Sequence, residues 1–354
     1  MGPPVTKTDP GRFFEDFRIG EVLRHATPRT VTEGDRALYI ALTGSRFVLN
    51  SSDEFARMLD LPSAPLDDLL VFHLVFGRTV ADISLNAVAN LGYAACVFGV
   101  PVYPGDTLVA SSRVIGLRET SSGETGIVWV RSTGRNQRGE TVLDYVRWIL
   151  VGKRDPASPA PEPVEPDLPA AVAPAELVVP AQLNLAGYYG EASGSDHLFD
   201  DYAVGERIDH IDGVTIEEAE HQMATRLYQN AARVHFNLHA AKDSRFGRRI
   251  VYGGHIISLA RALSFNGLAN AFRLAAINGG RHVAPSFAGD TIYAWSEVLE
   301  KMALPGRTDL GALRLRTVAV KDRACADFPY QGPDGKPDPS VVLDLDYTVL
   351  MPRR

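Results

Sequence analysis

The chain has 354 residues, of which 45% are hydrophobic and 22% are charged, a composition typical of a globular protein with two domains of ordinary size. Its net charge of −7 argues against broad binding to nucleic acid or to an anionic membrane, because both need a positive field. The N-terminus has no apolar core for a signal peptide, and no run approaches the roughly 18 apolar residues of a membrane span. We therefore expect a cytoplasmic protein with no nucleic-acid or membrane partner.

The first half is predicted to contain two helices followed by strands. Residues 30–33, Thr-Val-Thr-Glu, favour a helix start, because a threonine hydroxyl can cap free amides and the carboxylate suits the positive helix end. A longer apolar helix is predicted near 71–90. Alternating apolar and polar residues then predict strands at 107–115, 126–132 and 142–151.

A proline-rich segment separates the two halves. Eight prolines lie between Asp155 and Pro180, which is typical of an extended, semi-rigid linker. We therefore predict an N-terminal domain at 1–153, a linker at 154–194 and a C-terminal domain at 195–354.

The second half repeats the same order of elements. It has a helix start at 215–218, an apolar helix near 251–272, and strands at 291–299, 313–321 and 341–350. One buried helix followed by antiparallel strands predicts an α+β unit in which a sheet wraps the helix. Two joined units suggest sheets that pair edge to edge, as in a dimer of single units.

The repeat is also visible residue by residue. Three short segments recur, at offsets of 185, 184 and 200: 14–21 as 199–206, 104–108 as 288–292, and 142–144 as 342–344. Such a repeat allows the two copies to be compared. The offset of 185 aligns Asn230 with Ser45 and His235 with Asn50, so a histidine in this pair is present only in the second copy. The second half is therefore where we expect chemistry.

The second half contains a motif that resembles a known family. His235 and Phe246 are eleven residues apart, and Ile250-Val251-Tyr252-Gly253 follows. This pattern is similar to the MaoC-type, R-specific enoyl-CoA hydratases of the hot-dog fold, whose signature runs Ser-Gly-Asp-x-Asn-Pro-aliphatic-His, a Phe eleven residues on, and an aliphatic pair with His-Gly. The resemblance implies that His235 activates water, that Asn230 occupies the aspartate position, and that the Gly253 amide stabilises the oxyanion.

The departures from that signature are informative. Asparagine cannot act as a base, so Asn230 is expected to orient the water, and another carboxylate (Glu217, Glu218 or Asp243) is a candidate to replace the aspartate. The second histidine of the family is replaced by Tyr252. The additional Arg233 near His235 would suit a substrate with a free carboxylate, because guanidinium binds carboxylates bidentately.

The whole chain resembles the two-domain MaoC-like mesaconyl-CoA hydratases, also called β-methylmalyl-CoA dehydratases. This resemblance implies a double hot-dog fold, an acyl-CoA substrate, a homodimer, and reversible hydration of mesaconyl-CoA. The first half would be structural and would offer the tunnel for the acyl or pantetheine chain, with His73 in the core or tunnel wall. Candidate substrate and CoA contacts are Arg233, Arg245, Arg248, Arg249, Tyr252, His239 and His255.

No cofactor or metal is expected. Cys96 and Cys325 are the only cysteines, have no metal-ligand spacing, and are predicted to be reduced thiols. No glycine-rich nucleotide loop is evident.

Three alternative functions remain open. A general or itaconyl-type enoyl-CoA hydratase would differ only in the acyl group. An acyl-CoA thioesterase typically needs a carboxylate on the central helix, and the segment from Gly253 to Phe265 has none. A non-catalytic acyl-CoA binding protein is favoured by the loss of the aspartate.

Overall fold

The two halves of the chain contain equivalent elements. A computed structural model describes residues 7–332 and 334–354. The first half comprises β1 (Val22–Thr30), α1 (Glu33–Thr43), α2 (Val48–Ser51), α3 (Asp53–Met58), α4 (Asp68–Thr79), β2 (Ala87–Phe98), β3 (Thr107–Glu119), β4 (Thr125–Arg135) and β5 (Thr141–Gly152). The second half comprises β6 (Arg207–Thr215), α5 (Glu218–Leu227), α6 (Leu238–Ala241), α7 (Gly253–Leu263), α8 (Phe265–Leu268), β7 (Arg273–His282), β8 (Thr291–Leu304), β9 (Arg307–Lys321) and β10 (Val341–Pro352).

The ten strands form one antiparallel sheet that runs through both halves. Its order is β1-β3-β4-β5-β2-β7-β10-β9-β8-β6. The halves meet where β2 pairs with β7, with Ala94 opposite Gly279 and Cys96 opposite Ile277. The expected edge-to-edge pairing of the two sheets is therefore present.

A buried apolar helix lies against each half of the sheet. Every residue of α4 from Leu69 to Thr79 is buried, and α7 is buried from Gly254 to Ala262. Phe72 and Ile257 have no measurable exposure, and complete burial of such a side chain contributes about 1.5–3 kcal/mol. The α+β class with a sheet wrapped around a central helix is confirmed.

Turn geometry reproduces the sequence repeat. Strands β1 and β6, and helices α4 and α7, begin 185 residues apart. Gly20 and Gly205, which precede β1 and β6, have φ angles of +79° and +84°. Gly105 and Gly289 have φ angles of +98° and +96° before β3 and β8. Glycine adopts these conformations without steric cost, so the repeated Gly-Asp pairs have a structural role as turns.

Only one of the two predicted threonine caps is present. Thr32 caps α1, and its hydroxyl accepts a hydrogen bond from the Asp35 amide. The cap prediction for Thr215 is wrong, because α5 begins at Glu218 and its first cap position is Glu217. Thr215 instead ends β6, where its hydroxyl contacts that of Thr291 at 2.8 Å.

Both predicted long helices extend too far. The prediction of 71–90 is wrong at its end, because α4 stops at Thr79, a π-helical turn covers Val80–Ser84, and β2 begins at Ala87. The prediction of 251–272 fails likewise, since Gly267 has a φ of +103° and interrupts the helix. Strands β1, β2, β6 and β7 were not predicted. A buried apolar strand and a buried helix have similar hydrophobic patterns, which applies to β2 and β7. Strands β1 and β6 are largely exposed and lack such a pattern.

The segment between β5 and β6 crosses the sheet surface without a strand of its own among the described residues. It forms one bridge, Val164 with Leu117, and buries Val172, Leu177 and Leu183 in an apolar cluster shared by both halves. The domain limits at 153 and 195 stay a prediction. No helix in the described part of the chain is long and apolar enough to cross a membrane.

Candidate active site

A cavity of about 350 Å³ lies where the two halves meet. The first half lines it from the end of α4, from β2 and from β5, and the second half from the loop after α5, the start of α7 and the end of β7. The first-half lining includes Phe76, Asn90, Tyr93 and Arg147. The second-half lining includes Asn230, His235, Arg245, Tyr252, Gly253 and His282.

His235 faces this cavity with one ring nitrogen free. It ends a short 3-10 turn, Arg233–His235, and its Nδ1 lies 2.9 Å from the Ile250 carbonyl oxygen. A carbonyl only accepts, so Nδ1 carries the proton and Nε2 is left with a lone pair. Burial, with a smaller contribution from the nearby His221, lowers the pKa of His235 to about 4. His235 is therefore a neutral acceptor at physiological pH.

Asn230 is oriented as a hydrogen-bond donor toward the cavity. Its Oδ1 accepts from the Ala232 amide at 2.9 Å, and this bond fixes the orientation of the amide group. The side chain is buried, and its Nδ2 has no protein acceptor in the described part of the chain. Nδ2 is thus available to a molecule in the cavity.

Gly253 provides the first residue of α7 and lies against His282. A Cβ atom at this position would lie 2.5–2.7 Å from three atoms of the His282 ring, so only glycine fits. The Gly253 amide has no intrahelical acceptor, since the first amides of a helix are unpaired. An open amide at a positive helix end favours negative charge on a neighbouring oxygen.

His282 is a second cavity histidine, which the sequence reasoning missed. Its Nε2 lies 3.3 Å from the Tyr93 hydroxyl of the first half. Burial lowers its pKa to about 4, with a further contribution from His235. The sequence signal was weak, because His282 lies between Arg281, which forms a surface ion pair with Asp344, and an apolar segment.

Aromatic side chains form one wall of the cavity. The Tyr252 ring lies 5.6 Å from the His235 ring and 5.6 Å from the Phe76 ring. The Tyr252 hydroxyl lies 3.4 Å from His73 Nδ1, and His73 is itself buried in the core, where its Nε2 contacts the Ser258 hydroxyl at 2.8 Å. Tyr252, a predicted substrate contact, thus lines the cavity.

No carboxylate of the described residues lines the cavity. Of the three acids considered as replacements, Glu217 and Asp243 are exposed, and Glu218 is held by Arg249 and by His221 at 3.1 Å. The acid–base groups that face the cavity are therefore histidines and tyrosines.

One of the four predicted arginines lines the cavity. Arg245 does so at an exposed position, with its guanidinium 4.3 Å from the centre of the Phe246 ring. Arg233 is exposed and lies outside the cavity. Arg248 stacks over Phe287 at 3.8 Å, and Arg249 pairs with Glu218.

The two other predicted histidines also lie outside the cavity. His239 is exposed on α6. His255 is fully buried in α7, where its Nε2 lies 2.7 Å from Glu220 Oε1. Neither of them lines the cavity with His235 and Gly253.

The corresponding place in the first half is filled. Asn50, the counterpart of His235, donates to the Pro65 carbonyl at 3.3 Å. Asp68, the counterpart of Gly253, accepts from the Leu274 amide at 3.0 Å. Only about 10 Å³ remains there, and Leu183 of the linker segment closes it. The two copies therefore give one open site.

No group of three or more histidine, cysteine, aspartate or glutamate side chains in the described residues could hold a metal ion. Cys96 and Cys325 are free and buried. Burial raises the pKa of the Cys325 thiol to about 12 and raises that of Cys96 further.

Known proteins match this chain along almost its whole length. The sequence model of the family described as Mesaconyl-CoA hydratase matches residues 5–330. A β-methylmalyl-CoA dehydratase from Chloroflexus aurantiacus is 68% identical over 348 residues, which cover 98% of this chain and 99% of the relative.

Solved structures agree with the fold. A MaoC domain protein from Chloroflexus aurantiacus superposes with a TM-score of 0.97 at 67% identity, covering 99% of this chain and all of that one. A Mycobacterium tuberculosis protein described as a double hotdog fold gives a TM-score of 0.75 at 25% identity and covers 96% of this chain and 98% of its own. The double hot-dog class is confirmed, and the chain belongs to the mesaconyl-CoA hydratase family.

Proposed function

We propose that this chain is a hydro-lyase that reversibly hydrates mesaconyl-CoA to β-methylmalyl-CoA. The observation that carries the proposal is the convergence of His235, Asn230 and Gly253 on one cavity, within a chain that belongs to the family of that name. Addition of water to a double bond conjugated to a thioester needs a base and a donor for the enolate oxygen. The cavity supplies both.

His235 acts as the base. Its Nδ1 is bound to the Ile250 carbonyl, so Nε2 accepts a proton from the water that attacks the β-carbon. Asn230 Nδ2 donates to the water oxygen and directs its lone pair toward the substrate. The Asn230 amide cannot take the proton. His235 is therefore the base, although the family motif has both an aspartate and a histidine.

Gly253 stabilises the charge that develops on the thioester oxygen. As the hydroxyl bonds to the β-carbon, the electrons of the double bond move to the thioester as an enolate. The open Gly253 amide and the positive end of α7 favour that oxyanion. The protonated His235 then returns its proton to the α-carbon, so one water molecule is added and no other reactant is required.

Basic side chains near Arg245 bind the CoA phosphates. Arg245 lines the cavity at an exposed position, Arg248 is exposed, and Arg233 is exposed nearby in sequence to His235. Arginine suits phosphate because it offers several donors in a fixed plane. CoA enters as part of the substrate, and we propose that the enzyme uses no resident cofactor.

The alternatives have less support. A thioesterase of this fold typically uses a carboxylate, and no Asp or Glu of the described residues lines the cavity. The two open histidines argue against a purely binding role. A homodimer and a cytoplasmic location stay predictions, which light scattering and cell fractionation would measure.

The experiment follows the absorbance of the enoyl-thioester conjugation after purified protein is mixed with mesaconyl-CoA, with crotonyl-CoA in parallel. We expect fast loss of absorbance with mesaconyl-CoA and little with crotonyl-CoA. Faster turnover of crotonyl-CoA would assign a general enoyl-CoA hydratase, and release of free thiol would assign a thioesterase.

A further inference from the structure

One charged side chain in the cavity has no part in the chemistry described above. Arg147 lies on β5 of the first half and is 0% exposed. Its Nη2 donates to the hydroxyls of Thr79 at 2.7 Å and Ser84 at 3.3 Å. Its Nε and Nη1 are buried without a hydrogen-bond partner. Two donors of the guanidinium are therefore unused.

The charge of Arg147 is also uncompensated. No carboxylate of the described residues forms an ion pair with it. Its surroundings are the Phe76 ring, 4.2 Å from the guanidinium carbon, and the hydroxyls of Tyr93, Tyr145 and Tyr252. Burial lowers the pKa of Arg147. An unpaired buried charge costs several kcal/mol, so a bound anion would remove a large penalty.

Two chains of contacts connect Arg147 with the reacting groups. Tyr93 lies directly opposite Arg147 in the β2–β5 pair, and its hydroxyl contacts His282, whose ring lies against Gly253. On the other side, Phe76 stands between Arg147 and Tyr252. Arg147 therefore belongs to the same chamber as the oxyanion amide.

Asn90 adds further unused polar atoms beside it. Asn90 lines the cavity and pairs across the strands with Ile149, which lies two residues from Arg147 and on the same face of β5. Both the Nδ2 and the Oδ1 of Asn90 are buried without a partner. Arg147 and Asn90 thus present several donors on one wall.

We propose that Arg147, assisted by Asn90, binds a carboxylate on the acyl group of the substrate, at the end away from the thioester. This inference rests on the proposed function and specifies which half of the chain recognises the substrate. Nη1 has free N–H donors for a carboxylate oxygen, and this charge-assisted hydrogen bond would also pair the buried guanidinium charge. Arg147 is a specificity-determining residue contributed by the half that lacks the histidine.

This assignment replaces the expectation that Arg233 holds the carboxylate. Arg233 is exposed and does not line the cavity, whereas Arg147 is buried within it. The offset of 200 that relates 142–144 to 342–344 places Tyr347 at the position equivalent to Arg147. The arginine is therefore present only on the side that faces the open site.

The carboxylate of mesaconyl-CoA is attached to the β-carbon that receives the hydroxyl group. A negative charge there repels the electrons of the attacking water. Pairing it with the guanidinium removes that repulsion and fixes the β-carbon in the chamber, so Arg147 is expected to affect both binding and turnover.

The test compares two substrates that differ only at this group. Mesaconyl-CoA carries a carboxylate where (E)-2-methylbut-2-enoyl-CoA carries a methyl group. For Arg147→Met we expect kcat/KM with mesaconyl-CoA to fall by about 10²–10³-fold, as for removal of one partner of a buried charge pair. With the methyl substrate kcat/KM should be unchanged or higher. The substrate ratio, which is kcat/KM for mesaconyl-CoA divided by kcat/KM for the methyl substrate, should therefore fall strongly.

Arg261→Met is the matched control. Arg261 is also buried, also stacks on an aromatic ring (Phe47, 3.6 Å) and lies outside the cavity. It should lower stability without changing the substrate ratio. If Arg147→Met does not fold, Arg147→Lys is decisive, because it keeps the charge and loses the planar guanidinium with its fixed donors. Arg147→Lys should lower the substrate ratio of kcat/KM values by about tenfold or more.

The outcomes separate the two proposals. If the wild-type protein hydrates neither substrate, the proposed function fails. In the other outcome, the wild type hydrates mesaconyl-CoA while the folded Arg147 variants lower kcat/KM equally for both substrates, or change it for neither. The carboxylate site is then overturned and the proposed function stands.

Discussion

The role of His235 depends on one backbone hydrogen bond. Because the Ile250 carbonyl accepts from Nδ1, the ring presents an unprotonated Nε2 to the cavity. Burial keeps that nitrogen neutral by lowering the pKa of the imidazole. In the proposed mechanism, this tautomer lets Nε2 of His235 take the proton without a neighbouring carboxylate.

The pH dependence of the reaction follows from that pKa. A base must be unprotonated in the free enzyme, and the pKa of His235 is about 4. We predict that kcat/KM for mesaconyl-CoA is level from about pH 8 to about pH 5.5, because the acid limb lies near the lowered pKa. A limb centred near the ordinary histidine value of about 6.5 would contradict this account of burial.

In the proposed mechanism, Gly253 contributes through its small size as well as its amide. In Gly253→Ala the new Cβ would lie 2.5 Å from the His282 ring, so the ring or the start of α7 must move. We predict a fall in kcat of about 10–100-fold, in the range for impaired oxyanion stabilisation. Gly279→Ala, where nothing lies within 4 Å of the new Cβ, is the control and should be nearly neutral. Equal activity of both variants would contradict the requirement for glycine at position 253.

The candidate residues that sequence identified were those with a local spacing signal. Asn230, His235 and Gly253 belong to one motif, and all three meet at the cavity. His282, Asn90 and Arg147 come from separate strands, and only the fold brings them together. Arg147 did leave one trace, since it interrupts the inward-facing series of buried apolar and aromatic positions on β5.

At the level of secondary elements, each half contains a buried histidine that ties the first strand to the sheet. In the second half, His210 on β6 contacts the Ser296 hydroxyl at 2.8 Å and the Asn266 carbonyl at 2.7 Å. In the first half, His25 on β1 contacts Ser112 at 2.8 Å and Asp82 at 2.6 Å. These pairs are 185 and 184 residues apart, so the repeat preserves the interaction.

Protonation of His210 should destabilise the fold. Burial lowers its pKa to about 4, below the unfolded value of about 6.5, so the unfolded chain binds more protons and stability is lost as pH falls from 6.5 toward 4. Between pH 7 and pH 5 this loss is about 2 kcal/mol for one histidine. We predict that His210→Gln reduces the pH sensitivity of the free energy of unfolding, measured with urea, by that amount.

His239→Gln serves as the control for this measurement, because His239 is exposed on α6. It should leave the difference in unfolding free energy between pH 7 and pH 5 unchanged. An unchanged difference in His210→Gln as well would mean that His210 does not contribute to acid sensitivity.

The sequence predicted the type of element better than its limits. Strands with alternating polarity, such as β3, were recognised because one face is buried and the other is not. Strand β2 was merged with α4, since its pairing with both β5 and β7 buries much of it and removes the alternation. The pairing of β2 with β5 and β7 depends on distant parts of the chain, so a local sequence pattern does not reveal it.

At the level of the whole molecule, the repeat leaves one of two equivalent places open as a cavity. In the proposed mechanism, the second half supplies the base and the oxyanion amide, and the first half supplies the wall with Tyr93 and Arg147. In the equivalent place of the first half, Asn50 and Asp68 replace His235 and Gly253, and the remaining space is about 10 Å³. The repeat in sequence predicted the duplicated fold, but which residues each half contributes to the cavity could be seen only in the structure.

The most direct test of this account measures kcat/KM for mesaconyl-CoA in the wild type and in His235→Gln, together with the affinity of each for mesaconyl-CoA by calorimetry. Asn50→Ala, at the equivalent position of the first half, is the matched control. We predict that His235→Gln lowers kcat/KM by about 10²–10⁴-fold while its affinity stays within a few-fold, since general base catalysis contributes that much. Asn50→Ala should remain active. Substantial turnover in His235→Gln, or its loss only in Asn50→Ala, would contradict a single site based on His235.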